Sequence, residues 1–164
     1  MPTENTAAKS KKDRSIRPAL LVALIFILIT AILVAIPIRR QRQFVQFVSE
    51  LSSMTVRAGN KGTVSCQYED EVFFIEPDAA KEVYNRVVSV ESRKHVQRSE
   101  EIAGDGMIFT YGLLGGTLIL APSTYDDMGC VYVDFQSRDL NFTYLSPLLQ
   151  YEDFEAIVKN GRQP

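Results

Sequence analysis

The chain is 164 residues long, 46 % apolar, with a net charge of −2. That length accommodates one membrane span and one modest core but not two cores. Two cysteines are too few for a disulfide-built scaffold, and the lack of a basic excess argues against nucleic-acid binding. The charge is unevenly spread. Residues 1–43 carry eight Lys and Arg against two acidic residues, a net of +6, whereas from Phe44 onward ten face eighteen, a net of −8.

Residues 1–17 are polar, basic and aperiodic, which reads as a disordered tail. Between Arg17 and Arg39 the sequence PALLVALIFILITAILVAIPI has no charged residue. Its roughly 20 residues span about 30 Å as a helix, the thickness of a bilayer's hydrocarbon core. Residues 18–38 are therefore expected to form a transmembrane helix in contact with lipid. A cleaved secretory signal would have a shorter apolar run, about 7 to 15 residues, and an A-x-A-like site. Here Ala35-Ile36-Pro37 leads into Arg39 and Arg40 instead. The basic tail suits an anionic cytoplasmic leaflet and the acidic remainder suits the opposite side. The expected topology is a plasma-membrane, single-pass chain with its N-terminus inside and its C-terminal domain outside.

Residues 39–58 place Phe44, Phe47, Val48, Leu51 and Met54 at helical spacing. This amphipathic stretch continues the anchor, packs on the domain as a stalk, or lies at the lipid boundary, core packing being the commonest fate of such a stripe. Gly59 and Gly62 end the pattern, so residues 59–164 form the expected extracytoplasmic domain.

Within that domain TVSCQY alternates as a strand and EVFFIEP is a short apolar run closed by Pro77. Pro77 suits the first turn of a helix over DAAKEVYNRVV. SVESRKHVQRSEE is polar and open to three readings: helix end, edge strand or loop. MIFTYGLL and TLILAPS flank Gly115-Gly116, a pair that permits positive φ at both turn positions of a hairpin. GCVYVDFQ and LNFTYL follow as strands, and Ser146-Pro147 is placed to cap a closing helix through EDFEAIVK. The composite is an α+β domain, with about six strands in a mainly antiparallel sheet and two to three helices.

Cys66 and Cys130 are the disulfide candidates. A bond between them would close a loop of about 65 residues, worth roughly 4 kcal/mol in the chain-entropy account. The other reading is two buried thiols. The disulfide is the preferred expectation, with one geometric point against it: Cys66 alternates with Val64 and Tyr68, whereas Cys130 alternates with Tyr132 and Asp134 and not with Val131, Val133 and Phe135.

Catalytic signals are sparse. His95 is the single histidine and sits among charges in RKHVQR. Asp126, Asp127 and Asp134, with Glu69-Asp70-Glu71, are the carboxylates that a hard cation would require, but turns collect such residues for backbone reasons. Gly112, Gly115 and Gly116 lack the Lys-Ser/Thr of a phosphate loop. Asn141-Phe142-Thr143 fits the glycosylation triplet but falls in a predicted strand. No catalytic residue, metal site or cofactor is expected.

An apolar N-terminal helix ending in Ala35-Ile36-Pro37 and running into an amphipathic stalk resembles a type IV pilin or pseudopilin. The resemblance covers the first third of the chain and implies a β-rich domain outside the membrane and a filament role. Leu20 stands where that family's helix Glu belongs, Ser15 stands where its processing Gly belongs, and Arg39-Arg40-Gln41-Arg42 is foreign to a filament-packing helix. The preferred expectation is a non-catalytic, membrane-anchored binding or assembly module, an accessory subunit with protein partners and no nucleic acid. A pseudopilin-like subunit and a membrane-tethered metal-dependent enzyme, using Asp126, Asp127, Asp134 and His95, are the alternatives.

Overall fold

The computed structural model describes residues 6–163, with side chains from Leu20 onward except Leu113. The chain divides into two compact units, residues 1–42 and 43–164. One helix, α1 (Thr6–Gly59), contributes to both. It runs on through Pro18 and Pro37. Of the expected disordered tail, residues 1–5 lie outside the described residues. From Thr6 the tail is helical, in keeping with the favourable helix propensities of its Ala, Lys and Arg.

In the first unit α1 is apolar enough to cross a membrane, and none of its most apolar 18-residue window is buried by protein. The large side chains from Leu20 to Ile38 are exposed. A helix that is apolar all round needs an apolar surround.

The second unit is a seven-stranded antiparallel sheet in the order β2-β1-β4-β5-β6-β7-β3. Its strands are β1 (Val64–Tyr68), β2 (Glu71–Phe74), β3 (Lys94–His95), β4 (Met107–Tyr111), β5 (Thr117–Tyr125), β6 (Met128–Gln136) and β7 (Asn141–Ser146). The expected α+β class is what the structure shows. The seventh strand, β3, is the two-residue edge piece hidden in the polar stretch before α3 (Glu100–Gly104).

Three helical segments cover one face: α1 from Gln43 on, α2 (Pro77–Val88) and α4 (Tyr151–Asn160). They bury Phe47, Leu51, Val83, Val87, Phe154 and Val158 against Phe109, Leu118, Val133 and Phe135 of the sheet. Phe47 is the hub, with ring centroids 5.2 Å from Phe142 and 5.3 Å from Phe135. The expected stalk is thus part of the domain's core. The opposite face is partly covered by α3, over Ile119, Ala121, Tyr132 and Leu145.

Local chemistry explains most boundaries. Pro77 begins α2 as expected, with Asp78 in its first turn and Arg86 in its last, both favourable to the helix dipole. At the end of α4, Gly161 lies so close to α2 that a Cβ would stand 2.3 Å from that of Ala79. The Met107–Tyr125 hairpin exists, but its turn is not a Gly115-Gly116 pair. A 3-10 turn over Gly112–Leu114 intervenes, and the left-handed residues are Gly112 (φ 48°) and Gly115 (φ 68°). The cap of α4 is Gln150 and not Ser146. Ser146 instead ends β7, fully buried, and its hydroxyl donates to the Ser92 carbonyl at 3.2 Å.

The disulfide expectation is corrected. Both cysteines are free and buried. Cys66 lies opposite Phe109 in the helix-covered face, whereas Cys130 lies opposite Ser123 and packs into the α3 face. Side chains on opposite faces of one sheet cannot be bridged.

Candidate interaction groove and the acidic turns

The acidic residues singled out in the sequence divide into turn residues and one buried carboxylate. Glu69-Asp70 and Asp126-Asp127 are the central pairs of two-residue hairpins, with φ of 51°, 64°, 50° and 61°. These are the positive values of a type I′ turn. Asp134 is fully buried on the α3 face. Its carboxylate accepts from Arg98 Nε at 3.0 Å, Gln136 Nε2 at 2.9 Å and Thr143 Oγ1 at 3.2 Å. A buried charge is tolerable only with such partners. Beside it, the Ser99 N–H donates to Tyr132 OH at 2.9 Å, and Ser99 caps α3. Asp134 and Tyr132 therefore tie the 98–104 segment down.

Asp126, Asp127, Asp134 and His95 are not brought together. Asp134 lies six residues from Met128 along β6, roughly 20 Å at strand rise. His95 is opposite Tyr144 and stacks edge-on to Phe142 at 5.0 Å, on the helix-covered side. Among the described residues no group of three or more His, Cys, Asp or Glu side chains is placed to hold a metal ion. Burial pushes the Cys66 thiol up to about 12 and raises that of Cys130 as well, which disfavours the thiolate at both.

A groove opens at the C-terminal end of α1. Its cavity, about 480 Å³, is lined by Val56, Arg57, Ala58, Asn60, Lys61, Thr63 and Leu114. The lining contains two cations and no acid. Neither Arg57 nor Lys61 has an ion-pair partner among the described residues. Val56 is 58 % exposed, an apolar side chain on an otherwise open helix face. On the other side of Val56 a cavity of about 360 Å³ runs between α1 and α2, with Thr55, Pro77, Asp78, Lys81 and Tyr84 in its wall.

Sequence reasoning missed the groove because the end of α1, the turn after it and Leu114 of the β4–β5 connection meet only in the fold. It missed the Arg98–Asp134 tie because the two lie 36 residues apart.

Among the described residues the chain has one helix apolar enough to cross a membrane, followed by an α+β domain with a groove of apolar and cationic lining. Comparison with known protein families, curated proteins and solved structures finds no match.

Proposed function

We propose that the chain is a non-catalytic, single-pass membrane module whose α+β domain, held on the extracytoplasmic side of the plasma membrane, acts by binding and assembly. The observation that carries this is the Leu20–Ile38 helix, apolar on every side and buried by no protein. Lipid contact along residues 18–38 stabilises what water would not. Support for the orientation comes from the +6 of residues 1–43 against the −8 of the rest. Partners are proteins, met through the domain surface, and the module serves as an accessory subunit of a membrane complex.

The test is fractionation of the full chain followed by protease protection on intact cells. The expected result is retention in the membrane pellet after alkaline carbonate, cleavage of the domain from outside, and a stoichiometric complex in mild detergent. A full-length chain recovered in the aqueous fraction, or a domain protected in intact cells, overturns the corresponding part.

A further inference from the structure

We propose that the partner of the Arg57/Lys61 groove is a second copy of this chain, which inserts its Asp126–Asp127 hairpin tip, so that copies associate head to tail. The proposal rests on the reading of the domain as an assembly module and names its partner.

Strand register supplies the geometry. Thr117 at the start of β5 lies opposite Thr110, and Leu120 lies opposite Met107, the first residue of β4. From there β5 runs five residues further, to Tyr125, paired only with β6. On its far side β6 meets β7 no further out than Val131. The β5–β6 ribbon therefore projects beyond the sheet and ends in Asp126, Asp127 and Met128, all exposed. The groove sits at the other end: Thr63 precedes Val64, which pairs with Tyr111, and Leu114 lies in the β4–β5 connection. Nine residues of β5 separate the two features, about 30 Å at strand rise.

Chemistry makes the ends complementary. The tip presents two carboxylates and Met128, 56 % exposed; the groove presents Arg57, Lys61, Val56 and Leu114. Neither aspartate is ion-paired among the described residues, and neither is either groove cation. The other acidic hairpin is the poorer insert. Its turn is level with the sheet end, because Gln67 still pairs with Ile108, and Glu71 is already held by Arg162 at 2.7 Å. Two different patches meeting one another make a heterologous contact, which propagates into chains when its rotation does not close. Exposed charge pairs are individually weak. Confinement of anchored copies to one membrane raises their effective concentration, so a weak contact suffices.

The experiment measures the assembly state of the full chain in mild detergent by sedimentation and native mass spectrometry. The expected result is an oligomer ladder that shortens as salt rises from about 0.05 to about 0.5 M, where screening contracts to a few ångströms. Lys61→Glu and Asp127→Lys should each abolish the ladder, and together restore it. Asp126→Asn with Asp127→Gly removes the charge with residues the turn favours, so its loss of assembly cannot come from misfolding. A monomer at low salt, or oligomers that survive the charge changes, overturns the proposal. A monomer that still purifies with a different subunit overturns self-association and leaves the module reading standing.

Discussion

Tyr111 and Thr55 place two hydroxyls in the apolar layer between α1 and the sheet, each buried without a hydrogen bond of ordinary geometry. The Thr55 hydroxyl still acts on Tyr111, opposing part of the burial that raises its phenol far above the usual range. An unsatisfied buried polar group costs about 1–3 kcal/mol. Tyr111→Phe should therefore stabilise the domain by about 1 kcal/mol, several degrees in Tm for a domain of this size, and Thr55→Val should add to it. A lowered Tm in thermal melts would show that the hydroxyls are satisfied in solution. Cys66 makes a different prediction. Its thiol is raised from 9.0 to about 12 in the folded state. As pH climbs through 9 the unfolded chain loses this proton while the folded chain keeps it. The unfolded state then binds fewer protons, and stability falls across that window while staying unaffected by this group below it. Urea midpoints measured from pH about 8 to about 11 should decline, and Cys66→Ala should flatten the early part of the decline.

At the scale of elements the two acidic turns carry conformational strain that the sheet absorbs. Glu69 and Asp70 both hold positive φ, a region in which residues with a Cβ are disfavoured. Glu69→Asn with Asp70→Gly supplies the preferred I′ pair and should raise stability by about 1 kcal/mol, read as a higher Tm with an unchanged denaturant slope. An unchanged Tm would mean the turn relaxes in solution. These turns also show what sequence pattern conveys. The β1–β2 and β5–β6 strands, the Pro77 start of α2 and the body of α4 were legible, because period-two alternation, a helix-opening proline and a 3.6-residue stripe are local signals. The α3 cover was not. Its anchoring comes from Arg98 reaching Asp134, a contact set by tertiary packing, and β3 is two residues long. Parity along β6 already set Cys130 apart from Val131 and Val133, and strand register then placed it on the opposite face from Cys66.

For the whole molecule the consequential boundary is the one inside α1. Sequence pattern places the domain at residues 59–164, since Gly59 and Gly62 end the helical stripe, yet the compact unit begins at residue 43. The cause is packing: Phe47 and Leu51 are fully buried and Ala58 nearly so, and the Phe47 ring joins Phe135, Phe142 and Tyr144 in one cluster. Phe44 extends this cluster, with the Arg93 guanidinium stacked 3.5 Å from its ring centroid. Losing large buried side chains costs about 2–5 kcal/mol each. Removing Phe47 and Leu51 together costs as much as the roughly 5–15 kcal/mol that holds a small domain folded. A fragment of residues 43–164 should therefore stay in the aqueous fraction and unfold cooperatively, whereas 59–164 should be aggregated or molten, binding a hydrophobic dye. The full chain should need detergent. If 59–164 folds as well as 43–164 does, the helix is merely an anchor resting on a complete domain, and the burial of Phe47 contributes little to stability.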